Sequence, residues 1–175
     1  MLMPTRILWT QRRFDFDFPV ALYPELMERL RGTPARVEDR LHSFPPGILT
    51  RRHGEAWSIQ ENAGHLADTE ALFMGRLDDY DAGLATLRNA DMTNRNTFDA
   101  RHNEQPLDTV LRALRRKRTA LIVRLERLAP DQFARTALHP RLNKPMRLVD
   151  MMYFHAEHDD YHLARMTELA SHFGF

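Results

Sequence analysis

The sequence predicts an all-α fold, a four-helix bundle, from three observations. Apolar residues recur at alternating spacings of three and four along several long segments. Proline and glycine clusters punctuate the gaps between those segments, and no strand alternation or internal repeat competes with the helical period. A chain of 175 residues suggests one domain, spanning 1–175, long enough to bury a core.

The first helix is expected over about 21–31, with Leu22, Leu26 and Leu30 at i, i+4 and i+8. Gly32, Thr33 and Pro34 read as a stop and restart, with Thr33 as N-cap and Pro34 at the first helical position of a short second piece. Val37, Leu41 and Phe44 are its apolar positions, and Pro45-Pro46-Gly47 ends it. Ser58-Ile59-Gln60-Glu61 then forms a capping box that opens a long helix to about Leu87. Its seam reads Ile59, Ala63, Leu66, Glu70, Phe73, Leu77, Tyr80, Leu84 and Leu87, and Glu70 is the one charge on it.

Residues 89–105 are polar and aperiodic; a connection of that length is expected to cross the bundle or wall a site. Pro106 starts the next helix, whose seam of Leu107, Leu111, Leu114, Leu121, Leu125 and Leu128 has Arg118 as its single intruder. Residues 131–147 read as a loop with a short helical turn. The last helix is expected over about 145–172. Glu70 and Arg118, each a lone charge on an apolar seam, are expected to pair across the bundle; lining a cavity is the other reading.

Composition excludes several functions. Without cysteine there is no disulfide framework, thiolate ligand or cysteine nucleophile. The three serines, Ser43, Ser58 and Ser171, lack a nucleophile-elbow context, and the glycines form no phosphate loop. Residues 1–20 carry no apolar leader and no segment approaches membrane-spanning length, so a cytoplasmic protein with no membrane partner is expected. Of 25 basic residues only Lys117 and Lys144 are lysines, leaving 23 arginines. Against that background the run Arg112, Arg115, Arg116, Lys117, Arg118 reads as a solvated helix face, and with a net charge of +1 nucleic acid is the last-ranked partner.

The chemistry concentrates in the last helix. Leu148, Met151, His155, His158, His162, Arg165 and Leu169 form one stripe whose ends are apolar and whose middle is imidazole. His158 and His162 make an HxxxH pair, which sets two imidazoles one turn apart on one face, able to share an ion. Such pairs are common without metal, but burial without metal requires other partners. His65, at the edge of the second seam, is the best third ligand. An equal reading makes it a core-edge histidine bonded to Glu61 or Asp68. His155 is a further candidate ligand or neighbour. Glu61, Asp68 and Glu157 are candidates to orient an imidazole, with N-terminal capping favoured for Glu61.

Trp57-Ser58-Ile59-Gln60-Glu61-Asn62-Ala63-Gly64-His65-Leu66 resembles the W-S-x-x-E-x-x-x-H-L opening of the second helix in the DinB/YfiT-like superfamily. Ala156-Glu157-His158-Asp159-Asp160-Tyr161-His162-Leu163 resembles that superfamily's C-terminal HxxxH helix. His139-Pro140-Arg141-Leu142 and Ala90-Asp91-Met92-Thr93-Asn94 are similar to one subgroup, and the resemblance spans about 12–169.

It implies a four-helix bundle of up-down-down-up topology, a homodimer, and a divalent metal, Zn or Ni, on His65, His158 and His162, with His155 an inner neighbour. Thiol-dependent S-transferases and isomerases are among its characterised members. The expectation is therefore a metal-dependent transferase or hydrolase in which a metal-bound water or low-molecular-weight thiol attacks a small electrophilic substrate. A non-enzymatic metal- or ligand-binding stress-response module is the alternative.

Overall fold

The computed structural model describes residues 6–175; the first five residues of the expected single-domain span 1–175, and of the N-terminal segment 1–20, lie outside the described residues. Four long helices make the bundle: α1 (Tyr23–His42), α2 (Ile59–Asp81), α3 (Leu107–Leu125) and α4 (Leu148–His172). Each of α1 and α2 packs against both α3 and α4. Arg31 meets Glu126 while Glu38 meets Arg115, so α1 and α3 are antiparallel. Ala67 meets Lys117 while Met74 meets Arg124, so α2 and α3 are parallel. Asn62 meets His162 while His65 meets His158, so α4 runs against α2 and along α1. The order is up-down-down-up, as expected.

Three helix boundaries differ from expectation, each for a local reason. Helix α1 does not break at Gly32-Thr33-Pro34 but runs through Pro34. Proline removes the N–H that would bond the Leu30 carbonyl. Arg118 Nη1 supplies the missing donor, at 2.8 Å from Leu30 O, so the helix continues without an orphaned acceptor. Helix α2 stops at Asp81, not Leu87, because Gly83 takes a left-handed conformation (φ +63°). Its N–H bonds Tyr80 O and the next N–H, of Leu84, bonds Asp79 O, which is the Schellman closure. Leu84 is consequently exposed, while Leu87 turns back into the core. Helix α4 begins at Leu148, where the Asp150 carboxylate accepts the Arg147 N–H.

Residues 131–147 contain the expected helical turn, but the remainder is not loop. They hold a 3₁₀ turn (Pro130–Ala134) and an antiparallel hairpin, β1 (Thr136–His139) with β2 (Lys144–Arg147), in which Ala137 faces Met146. The Leu138 N–H and C=O are taken by Ala85 and Leu87, which attaches the hairpin to the chain leaving α2. The Tyr80 hydroxyl donates to Met146 O at 2.8 Å.

The core is two apolar clusters, one around Leu30, Phe73, Leu121 and Met152, the other around Val37, Leu66, Leu114 and Met166. Each helix crosses from one cluster to the other through polar residues: Thr33 on α1, Glu70 on α2, Arg118 on α3, and His158 to His162 on α4. Arg118 is the hub. It donates to Glu70 at 2.8 Å, to Asp159 at 2.7 and 3.0 Å, and to His155 Nε2 at 2.9 Å. Thr33 Oγ1 donates to the same Asp159 at 2.7 Å. Burial opposes the charge on Arg118, but Asp159 and Glu70 outweigh it and keep the guanidinium protonated.

The rest of the basic run disperses. Arg115 pairs with Glu38, Lys117 caps the Ala67 carbonyl, and Arg112 and Arg116 lie exposed. Arg118→Ala is expected to destabilise the protein by about 3–5 kcal/mol in urea unfolding, because it leaves two carboxylates buried without their cation. Arg116→Ala, on the surface, should change stability by no more than about 0.5 kcal/mol. Equal effects at the two positions would contradict the hub.

Candidate metal centre

Imidazoles from two antiparallel helices converge at one end of the polar layer. His65 projects from α2, and His158 and His162 from successive turns of α4. All three are at most 7% exposed, and their ligand-capable nitrogens lie within 4.8 Å of one another. His65 Nε2 and His158 Nε2 are 3.4 Å apart. Two nitrogens at ~2.0–2.1 Å from one tetrahedral ion are themselves about 3.4 Å apart, so this spacing fits a shared divalent ion.

The outer nitrogens are arranged to match. The Asn62 amide donates its N–H groups to Trp57 O and Ser58 O, which turns Oδ1 toward His162 Nδ1 at 2.8 Å. An oxygen there can only accept, so Nδ1 carries the proton and Nε2 keeps its lone pair. His65 Nδ1 meets Thr97 Oγ1 at 3.0 Å, which leaves Nε2 facing inward. His158 Nδ1 is buried without a hydrogen-bond partner among the described residues.

Burial pushes His65 down to about 3, helped by His158 and opposed by Asp68; burial with His155 and Arg118 nearby pushes His158 to about 3; burial with His158 and His65 nearby holds His162 well below its ordinary value. All three are neutral at physiological pH, the form that ligates a metal.

His155 is not in this group. Its ring stacks on Phe73 (centroids 3.5 Å apart) and its Nε2 accepts from Arg118, so it belongs to the polar layer. Glu70 and Arg118 pair across the bundle, as expected. The candidate orienters of His65 do other work. Glu61 caps the Ser58 N–H and pairs with Arg52, while Asp68 accepts from His102 Nε2 at 2.8 Å. Glu157 points away from the imidazoles to Arg12 and Arg29.

The site opens into a cavity of about 630 Å³. Within residues 89–105, the stretch from Asn89 to Thr97 forms one wall, reaching into a short helix (Arg95–Asp99), and a 3₁₀ turn (His102–Glu104) packs behind it on α2. Sequence reasoning missed Thr97 and His102, which carry no period, and Trp57 and Trp9, whose rings stand 4.6 Å from His65 and 5.1 Å from His158. One signal was present. Gly64 sits in mid-helix, where glycine costs about 1 kcal/mol relative to alanine, and a Cβ there would meet the His102 ring at 2.2 Å. That glycine marks the close approach of the segment that follows the wall.

Comparison with known proteins agrees with the architecture. The family model described as the DinB superfamily matches residues 29–166. YfiT from Bacillus subtilis, described as "a probable metal-dependent hydrolase with an unusual four-helix bundle topology", superposes with a TM-score of 0.74 at 18% identity, covering 94% of each chain. ClbS, a colibactin self-resistance protein solved in complex with a double-stranded DNA, gives 0.61 at 14% identity over 84% of this chain and 94% of its own. A Streptococcus pneumoniae protein gives 0.63 at 11% identity over 90% and 91%. At these identities the likeness is one of fold. No curated protein matches the chain.

The depressed histidines carry a pH dependence. Their folded values lie below the ordinary value near 6.5, so the unfolded chain binds more protons and stability falls as pH drops from about 6.5 toward 3. Chelator-treated protein is expected to melt at lower temperature at pH 5 than at pH 7.5. His158→Gln and His162→Gln should each flatten that slope. A melting temperature independent of pH across this window would contradict the buried, neutral assignment.

Proposed function

The chain belongs to the DinB superfamily, and on that premise we propose that it is a metal-dependent enzyme with Zn or Ni on His65, His158 and His162. The observation that carries this reading is the convergence of three buried, neutral imidazoles beside a cavity large enough for a small molecule. A closed structural ion site leaves no such room.

A divalent ion supplies Lewis acidity there and lowers the pKa of a water or thiol that attacks an electrophile. The chain has no cysteine, so a sulfur nucleophile comes from a low-molecular-weight thiol cosubstrate; water makes the same site a hydrolase. Its own residues do the remaining work. Asn62 holds His162 in the tautomer that presents Nε2, and Thr97 orients the His65 ring with Nε2 toward the centre. Trp57 and Trp9 shield the outer faces of His65 and His158 from solvent. Asp68, one turn beyond His65 and lining the cavity, is fixed by His102 and is the carboxylate able to take the nucleophile's proton.

Elemental analysis of protein purified without chelator should find a divalent metal, reduced to background in His65→Ala and His158→Ala while the helical circular dichroism is kept. A correctly folded wild type without metal sinks the proposal. Asp68→Asn is expected to keep the metal and lose about 10²–10⁴-fold in turnover, read in a screen that pairs electrophilic esters, amides and halides with water alone and with added thiols.

A further inference from the structure

Beyond the three imidazoles the same cavity holds a second group of polar side chains with no anionic partner among the described residues. Arg76, on α2, is 1% exposed yet forms no ion pair among the described residues. Its Nε and Nη2 reach only the Arg88 carbonyl, each at 3.4 Å. The adjacent carboxylate, Asp79, is fully engaged by Arg88, whose Nε, Nη2 and backbone N–H all donate to it.

Arg141, in the turn of the β-hairpin, buries Nη2 without a partner. His139, at the end of β1, is 2% exposed. Its Nδ1 accepts the Leu142 N–H at 3.2 Å, so a neutral ring carries its proton on Nε2, and that atom too is buried without a partner. Burial, with Arg76 and Arg141 nearby, keeps His139 neutral, at about 3. Burial lowers Arg76 to about 10, which leaves it charged at neutral pH.

Unpaired buried cations and orphaned N–H groups are costly, and they persist where a ligand completes them. We infer that Arg76, Arg141 and the His139 Nε2–H form an oxyanion subsite that receives a carboxylate or phosphate group of the substrate. An aromatic surface joins it to the candidate metal centre. The Phe73 ring lies 6.4 Å from His158 and 5.9 Å from the Arg76 guanidinium. Phe154 lies 5.1 Å from His139 and 5.8 Å from the Arg141 guanidinium. The substrate is thus a small molecule with an apolar body, its anionic end on the arginines and its reacting end at the imidazoles. That orientation rests on the metal-dependent reading above; the subsite itself does not.

The test uses the full chain after chelator treatment, with benzoate and inorganic phosphate as probes and benzamide as the neutral control, read by titration calorimetry and melting temperature. Benzoate or phosphate is expected to bind and raise the melting temperature, while benzamide does not. Tighter binding of phosphate than of benzoate assigns a phosphate-bearing substrate, and tighter binding of benzoate assigns a carboxylic acid. Arg76→Met and Arg141→Met should each weaken anion binding at least about ten-fold.

Arg76→Met, which removes an unpaired buried charge, should melt no lower than wild type in the absence of anion. The inference is overturned if neither anion binds at millimolar concentration, if benzamide binds as well as benzoate, or if Arg76→Met melts lower with anion affinity unchanged. Zinc titration of the same proteins separates the two proposals. Lost anion binding with intact zinc binding concerns this subsite alone, and the converse concerns the metal centre alone.

Discussion

One buried guanidinium ties all four helices together. Arg118 of α3 reaches a backbone carbonyl of α1, a carboxylate of α2, and a carboxylate and an imidazole of α4. Its five donors are a poor bargain for stability alone, since taking such charges out of water offsets most of what their attraction returns. What the arrangement adds is register. Leucine seams tolerate a slide by one turn; a planar guanidinium with four distinct partners does not. In this topology α1 and α2 sit on one diagonal and α3 and α4 on the other, so a hub reaching every helix aligns pairs that scarcely touch directly.

That register is what the candidate metal centre needs. His155 and Asp159, which meet Arg118, flank His158 on the same helix, and Phe73, which stacks on His155, stands two turns after His65. Fixing α2 against α4 through Glu70, Phe73 and His155 therefore fixes the approach of His65 Nε2 to His158 Nε2. The same burial that makes the hub costly keeps the three imidazoles neutral, the form able to ligate, and two of them, His65 and His162, are oriented through Nδ1. The polar layer serves stability and chemistry through one set of contacts.

The parts readable from sequence are those set by helical periodicity. The seams, the Ser58 capping box, the Glu70–Arg118 pair and the inward stripe of His155, His158 and His162 all follow from spacings of three and four. Periodicity alone could not separate His155 from its neighbours, because the distinction lies in partners from other helices: Arg118 for one, His65 for the other two.

Pro34 misled for a related reason. Its local rule is to end a helix, and a residue 84 positions away supplies the donor that lets the helix continue. Gly83 is the opposite case, a local stop lying inside a stretch where the apolar spacing of Leu84 and Leu87 predicts a continuing helix. The hairpin strands are four residues long, hold Pro145, and pair with the exit of α2, so no alternation could announce them. Thr97, His102 and Trp9 come from aperiodic segments whose positions depend on the finished bundle.

This division between helices and connections bears on what likeness of fold means here. The bundle axis and the three histidines are helical features, kept by packing seams that many sequences satisfy at low identity. The cavity is different: Trp9, Asn94, Thr97, His139 and Arg141 line it from connections and from the chain before α1. Those segments change without disturbing the seams, so a shared bundle leaves the far end of the cavity free to vary. In this chain that end is lined by two arginines and a histidine with no carboxylate partner among the described residues. Gly75 beneath it lies 2.0 Å, measured from a Cβ it does not have, from the Arg88 guanidinium that occupies Asp79. Arg88 thereby withdraws the one carboxylate that would otherwise neutralise Arg76. A site that spends a glycine and a second arginine to keep a buried cation unpaired is built around the charge it lacks.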